Sequence, residues 1–264
     1  MKQTIVVNSA YAQLGDFLRQ LPVQFDTLGR IIHDGRNTVR TVSRDGLTLV
    51  VKRFKCPMWF QRVAYTWFRP TKARRAYEFA LRFRNLGIDT PRPVAYVETR
   101  EGGLFSRGYF VSEGDFRPSC VPFGNGSGLE GEAMIAALAR QLCDLHRLGI
   151  LHGDLNLSNI LYEETDPGQW HFAFIDINRT RFVKGTVTKD MAAENLCWLT
   201  HNRPLLMQVC RAYARLRRWD EADFMRAVAH CLERRERWKD WLARFSSHKR
   251  RRRTVPQARG KVKS

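Results

Sequence analysis

Three polar residues within a short stretch have the types and spacing of a phosphoryl-transfer site. Asn159 follows Asp154 by five positions, and Asp176 closes the apolar pair Phe174–Ile175. In such sites a loop directs one carboxylate at a substrate hydroxyl, while an amide oxygen and a second carboxylate bind the same Mg²⁺ ion. The spacing therefore indicates a catalytic base at Asp154 and metal ligands at Asn159 and Asp176.

The residues before the first carboxylate depart from the protein-kinase pattern. His152-Gly153-Asp154 stands where protein kinases carry His-Arg-Asp, so the arginine that pairs with an activation-loop phosphate is missing. This favours a kinase that is not switched by such a phosphate. We expect His152 to shape the loop rather than to exchange protons during the reaction.

The segment after the second carboxylate is short. Ile177-Asn178-Arg179 replaces Phe-Gly, and a helical pattern is already established at Met191–Leu199 with no Ala-Pro-Glu before it. Little chain is left to form a platform for an extended peptide, which argues against a conventional protein kinase. Asn178 and Arg179 are further candidates for phosphate contact.

A lysine and a glutamate upstream are candidates for the ATP-binding ion pair. Lys52 ends an apolar run of strand type, and Glu78 lies in a helix predicted over Thr71–Leu86. A strand lysine that faces a helix glutamate holds the ATP phosphates in kinases. The alternative for Glu78 is a solvated helix face, where Arg74 and Arg82 would satisfy its charge.

Other nucleotide contacts are expected from position alone. The turn at 33–37 lies where kinases cover the phosphates, so Gly35 and Asn37 are candidate contacts, although a turn with one glycine also fits a plain hairpin. The predicted strand at 108–113 should lead into the hinge between lobes. We expect the adenine to stack near Val111 and to bond to the backbone from Ser112 through Glu113 to Gly114.

The surrounding pattern predicts an α+β, two-lobed protein-kinase-like fold. Asp-Gly turns separate three strands of a meander between residues 30 and 54, and helical periodicity dominates from 129 onwards. Four regions are predicted: a lead-in at 1–29, a nucleotide-binding N-lobe with its sheet and helix at 30–113, a mainly helical C-lobe with the catalytic loop at 114–245, and a disordered basic tail at 246–264.

The net charge of the sequence limits the classes of partner that we expect it to bind. The formal net charge is +19, and residues 246–264 contain eight basic and no acidic residues. Such a protein binds anions: a phosphorylated glycan, an acidic membrane face or nucleic acid. The sequence has no signal-peptide pattern and no apolar run of spanning length, so we expect a cytoplasmic protein that meets the membrane peripherally.

An aromatic segment at Pro57–Arg69 has two interpretations. Two Trp and two Phe residues occur there at helix-compatible spacing beside several cations. They either pack onto the small lobe or dock on an anionic membrane or lipid substrate, since interfacial segments combine aromatic anchors with cations.

From about Arg30 to Phe182 the sequence resembles the bacterial lipopolysaccharide kinase family of the Kdo/WaaP/InaA type. The likeness is carried by the segments Val51-Lys52, Lys72–Glu78, Gly87–Pro93, His152–Asn159 and Phe174–Asp176. The resemblance implies transfer of phosphate from ATP, with Mg²⁺, to an inner-core sugar hydroxyl of lipopolysaccharide (Kdo or heptose) at the cytoplasmic membrane face. It also implies that Lys52 binds the ATP phosphates, Glu78 holds Lys52, Asp154 is the base, and Asn159 and Asp176 bind Mg²⁺.

Rival functions remain open at this point. His-Gly-Asp also occurs in aminoglycoside phosphotransferases and in the small kinases or ATPases of tRNA-modifying complexes. An aminoglycoside enzyme needs an acidic acceptor pocket, which a strongly basic chain suits poorly. Nucleic acid binding through the basic tail is the second alternative and is not favoured, and a pseudokinase is disfavoured because every catalytic position is filled.

Overall fold

One six-stranded antiparallel sheet forms the first lobe. The computed structural model describes residues 2–124 and 131–253, and the side chains among them up to residue 241. The strands are β1 (Lys2–Val7), β2 (Arg30–Asp34), β3 (Thr38–Arg44), β4 (Leu47–Arg53), β5 (Pro93–Glu101) and β6 (Leu104–Glu113). Their spatial order is β1-β5-β6-β4-β3-β2, so β4 and β6 lie at the centre. The predicted meander is confirmed, and its tight turn places Asp45 and Gly46 at φ of 48° and 75°, as a two-residue hairpin requires.

Residues 1–29 are more than the lead-in that the sequence indicated. Strand β1 pairs with β5, and helix α1 (Gly15–Gln24) covers one face of the sheet. The buried residues Leu14, Leu18 and Phe25 pack there against residues of the sheet. Sequence reasoning missed this element because its apolar residues are divided among a strand, a 3-10 turn and a helix, so no single period emerges.

Two helices lie between β4 and β5 in the chain. Helix α2 (Trp59–Trp67) is attached to β6, where the Arg62 guanidinium donates to the Phe105 carbonyl at 2.6 Å. Helix α3 (Lys72–Asn85) is capped by Thr71, whose hydroxyl accepts from the Arg74 backbone N–H. The predicted Thr71–Leu86 helix is therefore confirmed, and its buried residues pack against Tyr96 and Phe54.

The second lobe is mainly helical. Its helices are α4 (Val121–Gly124), α5 (Glu132–Arg147), α6 (Lys189–Leu196), α7 (Arg203–Arg217) and α8 (Glu221–Arg253). Four short strands form two pairs, β7 (Ile150–Leu151) with β10 (Arg181–Phe182) and β8 (Ile160–Asp166) with β9 (Gln169–Phe174). Helix α5 packs against α7 and against β9, so a continuous apolar core lies directly beneath the segment that joins β7 to β8.

The basic C-terminal tail differs in part from its prediction. Helix α8 runs to Arg253, so residues 246–253 are helical rather than disordered. The remainder of the tail, 254–264, lies outside the described residues. In the described part of the chain, no helix combines the length and the apolar character that crossing a lipid bilayer requires.

Candidate active site

The loop between β7 and β8 presents Asp154 and Asn159 from one rigid turn. The Asn159 side-chain amide donates to the Asp154 carbonyl at 2.8 Å, and the Asn156 amide donates to the same oxygen at 3.1 Å. The Ile175 N–H donates to the Asn159 carbonyl at 3.0 Å. The loop is thereby attached to the segment that delivers Asp176, and the amide oxygen of Asn159 remains available as a ligand.

His152 holds this loop from beneath, as the sequence predicted. Its Nδ1 accepts from the Asp154 N–H at 3.2 Å and its Nε2 lies 3.0 Å from the Ile175 carbonyl, so the pattern requires a neutral ring protonated on Nε2. Burial lowers the pKa of His152, which keeps the ring neutral. With both ring nitrogens bonded inside the protein, His152 fixes the backbone at Asp154.

A buried chain of hydrogen bonds connects the loop to the helices of the C-lobe. The Asn195 amide donates to the His152 carbonyl at 2.8 Å, and its oxygen lies 3.1 Å from Nε2 of His146. The Tyr213 hydroxyl lies 2.8 Å from Nδ1 of His146. Burial lowers the pKa of His146 to about 4, so this network depends on a neutral imidazole. Sequence reasoning missed the network because its members come from α5, α6 and α7.

Gly153 explains the departure from His-Arg-Asp. A Cβ atom at this position would lie 2.1 Å from the Arg179 carbonyl oxygen, so only glycine permits the approach of these two segments. Arg179 in turn places its guanidinium 3.5 Å from the Asp154 carboxylate. The space for a side chain at residue 153, which is arginine in protein kinases, is thus occupied by the Arg179 backbone. The Arg179 side chain supplies a cation near Asp154 instead.

Lys52 and Asp176 meet across the cleft between the lobes. The Lys52 ammonium lies 2.8 Å from Oδ1 of Asp176, and the same oxygen accepts from the Asn178 amide. Asp176 has φ of 54° and ψ of 39°, a left-handed conformation that directs the chain sharply away after β9. The predicted meeting of a β4 lysine with the second carboxylate is present.

The predicted ion pair between Lys52 and Glu78 is not formed. The Glu78 carboxylate accepts from the Arg74 guanidinium at 2.7 Å. This is the alternative that the sequence also allowed, in which Glu78 lies on a solvated helix face. Ala76 and Ala80 are the α3 residues that line the cleft with Lys52. Glu78 lies two residues from each alanine and is therefore rotated roughly 160–200° away from the cleft.

Lys72 of α3 lines a smaller cavity of about 270 Å³ beside the cleft, together with Arg36 and Phe54. It lies four residues before Ala76, on the same side of the helix. Burial lowers the pKa of Lys72, as do the positive charges of Arg36, Arg179 and Arg75, whereas Asp176 raises it. These neighbours place Lys72 near Asp176. The helical spacing to Ala76 was the signal that would have distinguished Lys72 from the other cations of this region.

The cleft is a cavity of about 440 Å³ that contains most of the predicted nucleotide contacts. Predicted residues that line it are Asn37, Lys52, Ser112, Glu113, Asn159 and Asp176. Gly35 is not among the lining residues. Val111 is fully buried on the opposite face among the residues that contact α1, because side chains alternate along β6, and Phe110 and Ser112 face the cleft in its place.

The hinge backbone also differs from expectation. The Glu113 N–H donates to the Arg92 carbonyl at 2.9 Å and the Gly114 N–H donates to the Thr48 carbonyl at 2.8 Å. Neither N–H is free for a base edge. Asp115 and Phe116 follow directly in the chain and line the cleft.

Asp154 opens into a second and larger cavity. This cavity, of about 890 Å³, is lined by the catalytic loop, by Arg179 and Arg181, and by residues of 198–202. Ser158 lines both cavities, whereas Asp154 lines only the larger one and Asp176 only the smaller one. A phosphate donor in the cleft and an acceptor in the larger cavity would therefore meet at the catalytic loop.

The donor set fits Mg²⁺ held largely by phosphates. Asp176 offers a carboxylate and Asn159 an amide oxygen, the hard ligands that Mg²⁺ prefers. Among the described residues, no group of three or more His, Cys, Asp or Glu side chains forms a metal cage. Two protein ligands completed by phosphate oxygens and water are the usual arrangement in nucleotide sites.

The sheet-and-helix lobe, the helical lobe and the cleft between them define a protein-kinase-like fold. A solved structure of WaaP in complex with acyl carrier protein superposes with a TM-score of 0.61 at 18% identity, covering 90% of this chain and 99% of that chain, which supports the fold alone. The model of the lipopolysaccharide kinase (Kdo/WaaP) family matches residues 36–203, so the chain belongs to this family.

The chain is also similar, at low identity, to curated 3-deoxy-D-manno-octulosonic acid kinases. A 3-deoxy-D-manno-octulosonic acid kinase of Vibrio vulnificus (strain YJ016) is 29% identical over 135 residues, 49% of this chain and 56% of the relative. A kinase of the same name from Vibrio parahaemolyticus serotype O3:K6 is 21% identical over 206 residues, 75% of this chain and 81% of the relative. The first match spans little more than half of the relative's length.

Proposed function

We propose that this protein transfers the γ-phosphoryl group of ATP to a sugar hydroxyl of the lipopolysaccharide inner core. The observation that carries the proposal is the meeting of two cavities at one loop. Lys52 and Asp176 share the smaller cavity, and Asp154 opens into the larger one. Membership of the lipopolysaccharide kinase family supplies the acceptor class, and the choice between Kdo and heptose is left to experiment.

In the proposed mechanism Asp154 orients the acceptor hydroxyl and accepts its proton late in the transfer. Arg179 neighbours this carboxylate and adds positive charge where the transferred phosphoryl group passes. Lys52 and Lys72 bind phosphate oxygens from the N-lobe side. Mg²⁺, held by Asn159 and Asp176, would neutralise charge that develops on the phosphates. Positioning and electrostatics of this kind supply most of the rate enhancement in phosphoryl transfer.

The proposed activity is tested with an acceptor panel. The full chain is incubated with γ-labelled ATP and Mg²⁺ together with Kdo-bearing lipid A precursor, heptose-bearing core, tRNA or an aminoglycoside. We expect label on one of the two core acceptors only, and its loss in Asp154→Asn by about 10³-fold because the base contributes on that scale. Label on tRNA or the aminoglycoside alone, or label on none of the four, would contradict the proposal.

We propose further that α2 holds the enzyme at an anionic membrane face. The two tryptophans of this helix do not pack onto the lobe: Trp59 is 74% exposed and Trp67 is 65% exposed. The inner side of α2 is attached instead through Tyr65, whose ring meets that of Phe105 edge-on at 5.6 Å. An exposed apolar patch beside the exposed Arg69 suits a lipid interface.

Flotation with liposomes tests this surface. Trp59→Ser combined with Trp67→Ser should reduce binding to anionic vesicles at least about tenfold, since each interfacial tryptophan contributes on the order of 1 kcal/mol. Trp238→Ser, an exposed tryptophan on α8, is the matched control and should bind as the wild type does. Equal binding by the double variant and the wild type would exclude α2 as the docking element.

A further inference from the structure

The larger cavity contains a buried cation without an ionic partner. Arg235 of α8 is only 9% exposed and lines this cavity together with Asp154. Its guanidinium donates to the Cys197 carbonyl and, at 2.8 Å, lies against Nδ1 of His201. Within residues 2–124 and 131–241, no carboxylate lies within ion-pair distance of Arg235, although two neighbours on α8 are paired.

The adjacent acidic residues serve other arginines. Glu194 accepts from Arg234 at 2.7 Å, and Glu236 accepts from Arg203. Glu194 lines the same cavity, but the hydrogen-bond partners of the buried Arg235 guanidinium are the Cys197 carbonyl and the His201 ring, both of them uncharged acceptors. Burial of a charge without an ionic partner is costly, and an anion bound in the cavity would offset that cost.

The indole ring of Trp198 lies beside the Arg235 guanidinium. The Trp198 ring is half exposed, lines the same cavity and lies 4.8 Å from the Arg235 guanidinium carbon. The cation–π contact fixes the indole, so its free face offers a planar apolar surface next to a fixed charge. Arg181, which is exposed, adds a second cation to the lining.

We propose that Arg235 and Trp198 form the acceptor subsite, in which Arg235 binds an anionic substituent of the acceptor sugar and Trp198 stacks against its ring. The inference rests on the proposed function, because it assigns the larger cavity to the acceptor. Guanidinium groups bind carboxylate and phosphate through paired donors, so both a sugar carboxylate and a phosphate ester satisfy the same chemistry. Arg235 and Trp198 would then determine specificity for an acidic sugar while Asp154 performs the transfer.

Pairs of acceptors that differ in one anionic group distinguish a binding role of Arg235 from a purely structural role. The probes are the methyl glycoside of Kdo, its neutral carboxyl methyl ester, and a methyl heptoside with and without a phosphate ester. For each pair, kcat/KM is measured with wild type, Arg235→Met and Trp198→Ala. We expect the wild type to prefer one anionic probe over its neutral match by about 30-fold or more, the scale for one partner of a buried charge pair.

The variants should lose that preference. In Arg235→Met the ratio between the anionic and the neutral probe should fall close to one, and in Trp198→Ala both members of a pair should lose about tenfold in kcat/KM. Arg234→Met and Trp238→Ala remove a neighbouring arginine and an exposed tryptophan of the same helix and should retain the wild-type ratio. If Arg235→Met still preferred the anionic probe over its neutral match as strongly as the wild type does, the assignment would be overturned. The probe pair between which the wild type discriminates shows whether Arg235 binds a carboxylate or a phosphate.

Direct binding keeps the test independent of turnover and of folding defects. Saturation-transfer NMR with the four probes is run on each variant after circular dichroism and ATP binding have established its fold, and Arg235→Lys replaces Arg235→Met if the latter does not fold. If the wild type phosphorylates no probe but binds an anionic one through Arg235, the proposed function fails and the subsite stands. If transfer occurs and no variant alters binding or discrimination, the subsite fails and the proposed function stands.

Discussion

The two halves of the candidate active site follow from the sequence to very different degrees. On the C-lobe side, Asp154, Asn159 and Asp176 lie where their spacing placed them, since one short loop and one strand end are joined by direct hydrogen bonds. On the N-lobe side, Lys52 is where it was expected, but Glu78 and Val111 face away from the cleft. The difference shows that local motifs specify geometry within a loop, whereas the phase of a helix or strand decides which of its side chains reach the site.

The largest expected effect contrasts the two residues that were predicted to pair. Lys52→Met should reduce kcat/KM for ATP by about 10²–10³-fold, because it removes a fixed charge from the phosphate site. Glu78→Gln should change it less than twofold, since this carboxylate binds Arg74 on the outer side of α3. Steady-state kinetics with varied ATP measures both. A comparable loss in Glu78→Gln would place this glutamate in the cleft during catalysis.

The next prediction concerns the N-terminal segment that the sequence left unassigned. Leu18 is fully buried beneath the sheet, so Leu18→Ala should lower the free energy of unfolding by about 3 kcal/mol. Val23→Ala on the same helix removes an exposed side chain and should cost less than about 0.5 kcal/mol. Urea denaturation of the full chain compares the two. Equal stabilities would mean that α1 is not part of the N-lobe core.

A pH dependence tests the buried network that supports the catalytic loop. The folded pKa of His146 is about 4, below the ordinary value of 6.5, so the unfolded chain binds the proton more readily between these values. Stability is therefore fully present above pH 6.5 and is lost as pH falls towards 4, by about 2 kcal/mol at pH 5. Urea denaturation at pH 7.5 and pH 5 measures the change, and His146→Asn should flatten it. An unchanged slope in that variant would assign the loss to other groups.

The smallest expected effect concerns Lys72, which lies at the start of α3 near Asp176. Lys72→Met should raise KM for ATP about tenfold while kcat changes little, because one charge-assisted bond to phosphate is removed. Arg74→Met on the outer side of the helix is the control and should behave as wild type. A KM unchanged in Lys72→Met would leave Lys52 as the principal N-lobe cation for phosphate.

The contrast between the two halves of the site also shows which features of the structure could be predicted from the sequence. Strand and helix bounds near the site were predictable because Asp-Gly turns, the Thr71 cap and helical periodicity are local signals. The position of Glu78 was not, since a helix pattern does not specify which face meets the cleft until its packing against Tyr96 is known. Arg235 lies 81 residues beyond Asp154 in the chain. Only the packing of α8 against α6 brings its cation into the cavity of the catalytic loop.

A structure of the full chain with Mg²⁺ and a non-hydrolysable ATP analogue tests the central claim most directly. We predict phosphates between Lys52 and Asp176, a metal bound by Asp176 and the amide oxygen of Asn159, and Asp154 facing the empty larger cavity. Glu78 should remain with Arg74. A nucleotide bound outside the cleft, or phosphates that contact neither Lys52 nor Asp176, would contradict the assignment of the donor to one cavity and the acceptor to the other.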